Sequence, residues 1–152
     1  MLKFMNSKER KRMFLYFEER FCIPRQAFDD YHFLENKEKI WICSKEMPGI
    51  DFRNLRVEGI GMLFGRKGIN IKPTTNMVQL FGKAVGKNIL TLNNEQKEQF
   101  IQGLDILNLK ANVEPGYVMV KHNNDFLGCA LYKEEYLKNQ VPKQRRILKN
   151  PN

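Results

Sequence analysis

Apolar residues at Met13, Phe14, Phe17 and Phe21 recur at helical spacing inside NSKERKRMFLYFEERF, with Asn6 or Ser7 placed to cap them, so a helix is predicted over about 7–21. Pro24 is expected to end it, with one short further turn in RQAFDD. The pattern then changes period. YHFLENKEKIWICS alternates on both sides of a polar turn, which predicts a β-hairpin with Phe33, Ile40 and Ile42 toward a core and Trp41 on the opposite face. Pro48 and Gly49 interrupt every pattern around them and predict a linker.

Beyond it, LRVEGIGMLFGRKGINIKPTT predicts a strand, a turn at Gly65 to Gly68 and a second extended segment ending at Pro73. Thr74 or Thr75 caps a short helix with Met77, Leu80 and Phe81 on its apolar face. KNILTL is strand-like, Asn93 or Asn94 caps a helix that Gly103 stops, and a hairpin about an Asn/Asp turn leads into a last strand near Leu137. The order β-α-β-α-β-β-β makes the fold class α+β. We divide the chain into an N-terminal α+β unit at 1–47, a linker at 48–54 and a β-rich barrel with two short helices at 55–150.

Charge sharpens this picture because it is uneven. Residues 1–64 hold 12 Lys/Arg against 10 Asp/Glu, whereas residues 65–152 hold 14 against 7, so the second half carries most of the net +9. A field of that sign attracts phosphates and suits nucleic acid. Lys8, Arg10, Lys11 and Arg12 sit in the first turns of the predicted helix, where the helix dipole disfavours cations; a solvated face and a partner's contact surface both account for them.

Several chemistries find no support. The three cysteines, Cys22, Cys43 and Cys129, lack C-x-x-C spacing and read as small buried hydrophobes, with neither a disulfide framework nor a metal site. His32 and His122 stand outside any ligand spacing, and the phosphate-binding glycine motifs of nucleotide cofactors do not occur. No cofactor is expected. No run approaches the ~20 apolar residues of a membrane span, and the N-terminus lacks the apolar region of a signal peptide, so the expected location is cytoplasmic. GRKG at 65–68 matches the G-x-x-G loop of KH domains, but the flanking alternation makes it a β-turn.

LKNQVPKQRR at 137–146 combines apolar Leu137 and Val141, the amides of Asn139 and Gln140, and Pro142 ahead of a basic cluster. With Ile147 as a further apolar position, it reads as a closing strand and a rigid turn that hold cations in a fixed array. Residues 116–146, taken with KPTTNMVQLFGKAVGKNILTLNNEQKEQFIQG at 72–103, resemble the PUA-like RNA-binding domain of the Sun family of RNA 5-methylcytosine methyltransferases. The segment at 16–42 is similar to the leader before the PUA domain in archaeal stand-alone relatives, and the resemblance spans about 12–148. Its most specific pieces are Lys72-Pro73-Thr74, Phe81-Gly82, Lys138-Asn139 and Pro142-Lys143.

The resemblance implies a pre-PUA unit followed by a PUA-like mixed β pseudo-barrel that holds structured RNA, tRNA or rRNA. Lys72, Thr74, Gln79, Lys83 and Lys87 would line its helix side, and Lys138, Asn139, Lys143, Arg145 and Arg146 its C-terminal strand side. The family's catalytic domain has no counterpart here, since Cys22 lies in Phe-Cys-Ile-Pro and Cys43 in Ile-Cys-Ser, so the expectation is a non-enzyme, with a separate methyltransferase as a candidate partner. The competing expectation is a protein-interaction adaptor docking on such an enzyme or a ribosome-assembly factor, through an exposed apolar patch at Phe14, Phe17 and Trp41.

Overall fold

The chain enters through a two-residue strand, β1 (Lys3–Phe4), and a helix, α1 (Ser7–Phe21), in a computed structural model that describes residues 2–46 and 61–148. Asn6 is the cap: its side chain accepts from the Glu9 N–H at 2.9 Å, and Met13, Phe17 and Phe21 form the buried face. Cys22, exposed and left-handed at φ 52°, ends the helix before Pro24 is reached. Only two of the three cysteines are therefore buried. Burial pushes the Cys43 thiol up and that of Cys129 to about 12, as inert core residues require. Pro24 instead leads into a short 3-10 turn, Arg25–Phe28, before the hairpin β2 (Tyr31–Glu35) and β3 (Lys39–Ser44).

The second half begins with β4 (Met62–Arg66) and β5 (Lys72–Pro73), joined by the turn 67–71. Gly65 belongs to the strand, opposite Ile40 and Pro73, so the turn lies two residues later than the glycine spacing suggests. Helix α2 (Thr75–Phe81) follows, then β6 (Ile89–Thr91), α3 (Asn94–Ile101), β7 (Gly116–His122), β8 (Asp125–Lys133) and β9 (Tyr136–Asn139). Thr74 caps α2. Asn93 caps α3 in a reciprocal capping box with Gln96. On α2 the buried apolar positions are Met77, Val78 and Phe81; Val78 takes the place expected of Leu80, which is 40% exposed.

Among the described residues the strands form two sheets, ordered β1-β2-β3-β4-β5 and β6-β7-β8-β9, with β6 and β7 parallel and the other pairs antiparallel. The architecture is α+β. The expected linker at 48–54 lies wholly within 47–60, outside the described residues, yet β3 and β4 on either side of it pair directly. One core also spans it. Phe64 of β4 is fully buried, with its ring edge-on to Phe17, Phe28, Phe33 and Phe81 at centroid distances of 5.3, 6.0, 5.2 and 6.0 Å. The segments before and after the linker thus share a sheet and a core.

This packing buries Phe17 and covers part of Phe14 and Trp41, the side chains expected of a docking patch. Phe17 is fully buried, Phe14 stacks on Phe28 at 5.1 Å, and Trp41 packs with Leu2, Leu34 and Cys43 on the outer face of the first sheet. A second core under the other sheet gathers Leu90, Phe100, Val118, Val120, Leu137 and Val141. Truncation of Phe64 to Ala should cost about 3–5 kcal/mol. Denaturant unfolding followed by tryptophan fluorescence and by far-UV dichroism should show one shared transition at a lower midpoint; two separated transitions would mean that the halves fold independently.

Candidate nucleic-acid interface

The β3/β4 ladder slips by one residue. Ile40 opposes Gly65 while Trp41 opposes Leu63, leaving Phe64 as the extra residue of a bulge. The slip turns Phe64 into the core and brings Lys39 opposite Arg66; the next pair along is Arg66 opposite Lys72. Cross-strand partners share a face, so Lys39, Arg66 and Lys72 form a row across three strands at a spacing of about 4.8 Å per strand. Like charges directly opposite one another are unfavourable in a sheet. Burial lowers the pKa of Lys72, and the neighbouring Arg66 and Lys138 cations lower it further. An anion beside the row would relieve both effects.

Thr74 locks the row's end to α2. Its hydroxyl donates to the Leu63 carbonyl at 2.6 Å and accepts from the Met77 N–H at 3.2 Å, filling the bulge and capping the helix at once. Beside it, a cavity of about 110 Å3 is lined by Arg66, Lys72, Thr74, Asn76, Gln140 and Arg145 among others. Arg145 lies in a 3-10 turn, Lys143–Arg145, behind Pro142; its guanidinium donates to Gln79 Oε1 at 3.1 Å and to Asn76 Oδ1. The fork of Arg145 is therefore held on α2. This joins the helix side and the C-terminal side, as expected of Lys72, Thr74, Gln79 and Arg145, while Lys138 stands close enough to Lys72 to act on it. Lys143 is exposed on the same turn.

Other expected residues have different settings. Asn139 faces inward: its Nδ2 donates to the Phe100 and Leu104 carbonyls at 2.8 and 3.1 Å, and its Oδ1 accepts from the Val141 N–H at 2.7 Å. It pins β9 to the end of α3. Arg146 donates from Nε to the Val141 carbonyl at 3.1 Å and packs over Gly103, where a Cβ would meet its Nε at 2.3 Å. Lys87 pairs with Glu114 at 2.8 Å, in the network where Arg20 joins α1 to β7. Lys83 is exposed in the 3-10 turn Gly82–Ala84, apart from the cavity beside the cationic row.

The row also includes Lys39 and Arg66, and the cavity Asn76, none of which the sequence reading selected. Arg66 stood inside GRKG, but its partners across β3 and β5 depend on the register. Two aromatic side chains of β8 are likewise engaged within the fold. Tyr132 is buried, with its hydroxyl donating to the Leu109 carbonyl at 2.9 Å, and the Phe126 ring covers Gly82, where a Cβ would lie 2.4 Å from it. His32 packs edge-on to Phe4, and His122 Nε2 is bonded to Asn94 Oδ1 at 2.7 Å.

Residues 87–147 match the family described as Methyltransferase RsmF PUA domain, and residues 4–61 match a family of unknown function, DUF7122. The chain is also similar to the ribosomal RNA small subunit methyltransferase F of Psychromonas ingrahamii, at 23% identity over 143 residues. That alignment covers 90% of this chain and 29% of the methyltransferase, so the chain spans less than a third of that relative's length. The α+β fold is accordingly PUA-like in its C-terminal part.

Asp105 accepts from the Tyr136 hydroxyl and from the Asn139 N–H at 2.8 Å, and these bonds hold its carboxyl below the usual 3.8. A depressed carboxylate pKa adds stability that is present above the unfolded value and lost as pH falls through the folded one. Stability measured by urea denaturation from pH 6 to pH 2.5 should therefore fall less steeply for Asp105→Asn than for the unaltered chain. In the same assay at pH 7, Asn139→Ala should cost about 2–4 kcal/mol by stranding two carbonyls.

Proposed function

We propose that this chain is a non-catalytic RNA-binding protein that recognises structured tRNA or rRNA in RNA modification or ribosome biogenesis. It acts in the cytoplasm as an archaeal-type counterpart of the PUA domain of the RsmF methyltransferases. A separate methyltransferase is its natural partner, for which it would hold the substrate.

The observation that carries this reading is the row Lys39, Arg66 and Lys72, three cations on neighbouring strands with no carboxylate paired to them among the described ion pairs. Phosphates contacted by such a row position the RNA, while Gln140 and Asn76 beside it offer amides to ribose or base edges. Lys138 and Lys143 extend the positive surface toward the C-terminus, and Arg145, fixed by Gln79 and Asn76, presents a rigid edge. The likeness to the PUA domain of an rRNA methyltransferase supports RNA as the polyanion. Asn139 and Thr74 serve this surface by positioning it, and Lys87 and Arg146 lie outside its core.

Gel-shift titrations with tRNA and with rRNA hairpins should give tighter binding than duplex DNA of equal charge. Replacement of Lys39, Arg66 or Lys72 by Ala should weaken binding of every RNA alike and lower the salt slope by about one unit each. An unchanged slope in the triple variant would remove the row from the interface.

A further inference from the structure

At the far end of the first sheet from the cationic row, a cavity of about 360 Å3 opens between β1, the start of α1, the turn Arg25–Phe28 and the end of the β2–β3 hairpin. Lys39 begins β3 on the row, and Lys45 follows its last residue at this cavity, so the two places are about 20 Å apart along the strand. Three cations line the cavity, Arg10, Arg25 and Lys45, against one carboxylate, Asp29. None of these four takes part in an ion pair among the described residues.

Two guanidinium groups flank one ring. Arg10 and Phe14 are one turn apart on the same face of α1, and the Arg25 guanidinium carbon lies 5.8 Å from the centroid of the Phe14 ring. Phe14 in turn stacks on buried Phe28 at 5.1 Å, which anchors this layer to the core. Arg10 donates to the Met5 carbonyl at 3.2 Å and to Ser7 Oγ at 3.3 Å, bonds that fix its guanidinium and still leave it N–H donors for a ligand. Lys45 is set by its backbone, whose N–H donates to the Asp30 carbonyl at 3.0 Å beside the first residue of β2. A bound anion accounts for Arg10 in the first turns of α1, where the helix dipole disfavours a cation.

The charges and the walls describe the ligand. Three cations against one carboxylate leave a surplus of two positive charges, which matches a phosphate monoester near pH 7, at about −1.5 to −2, better than the single charge of a diester. The cavity is larger than a phosphate needs and falls in the range of small-molecule sites. Phe14, Phe28 and Tyr31 make part of its wall aromatic, which suits a phosphate attached to a flat apolar body. Asp29 repels a bare phosphate, but its carboxylate can accept from hydroxyl donors such as those of a ribose.

We propose that this cavity binds a nucleoside monophosphate, with Arg10, Arg25 and Lys45 on the phosphate and Asp29 on the ribose hydroxyls. The nucleotide is either free or the 5′-terminal residue of an RNA chain, and only the second source rests on the RNA-binding reading.

Titration calorimetry on the full chain should give adenosine 5′-monophosphate an affinity about tenfold above those of adenosine and of inorganic phosphate. Arg25→Gln combined with Lys45→Gln, both at exposed positions, should remove that gain, whereas the triple variant of Lys39, Arg66 and Lys72 should keep it. Adenosine monophosphate binding no tighter than adenosine or inorganic phosphate would overturn the site without recourse to any variant, and so would a gain that survives the double variant. A seven-nucleotide RNA that begins with adenosine and is labelled at its 3′ end then separates the two sources. If its 5′-phosphorylated form binds about tenfold more tightly than its 5′-hydroxyl form, and the double variant removes the difference, the RNA terminus is the ligand. If the two forms bind alike, the ligand is the free nucleotide. RNA binding indifferent to the triple variant would sink the RNA interface and leave this site standing.

Discussion

Burial of Phe64 is the constraint on which the rest of the structure depends. Its ring is enclosed by Phe17 of α1, Phe28, Phe33 of β2 and Phe81 of α2, so one side chain of the second half organises the aromatic core of the first. To reach that position β4 must bulge, and the bulge decides which residues of β4 oppose which of β3. The alignment of Lys39, Arg66 and Lys72 follows from a packing requirement, since the same slip that buries the ring puts the cations opposite one another. Thr74 then satisfies the bulge carbonyl and starts α2 in the same place.

The second sheet is attached by polar contacts as well as by the core. Arg20, whose side chain is 13% exposed, donates to the Tyr117 carbonyl at 2.8 and 3.0 Å and to the Glu114 carbonyl at 2.8 Å, and Asn88 returns a bond to the Arg20 carbonyl at 2.7 Å. Charge-assisted bonds of this kind satisfy the Tyr117 and Glu114 carbonyls where α1 meets β7. They also explain why Lys87, basic and adjacent to α2 in sequence, serves the scaffold: Glu114 draws it into this network.

The C-terminal segment divides its labour along similar lines. Asn139 and Arg146 face inward and tie β9 and the chain beyond it to α3, while Lys138, Lys143 and Arg145 face outward. Pro142 and Val141 make that division possible, the one by fixing the backbone and the other by burying beside Leu137. Ile147, read as a further apolar anchor, is 63% exposed, and it is its N–H that is engaged, donating to the Ile101 carbonyl at 2.8 Å.

By itself the sequence determined what depends on neighbours in the chain. The span of α1, the caps at Asn6, Thr74 and Asn93, the two hairpins and the closing strand all follow from periodicity and local hydrogen bonding. The resemblance added the PUA-like character of the second half. What only the tertiary structure decided involves partners far apart in sequence: the pairing of β3 with β4, the cationic row and the inward turn of Asn139. Asn139 and Lys138 are adjacent and equally polar, yet strand alternation and the end of α3 send one inside and leave the other in solvent. A side chain's role in an interface is set by what already occupies its hydrogen-bonding atoms, and those occupants are fixed only when distant segments pack.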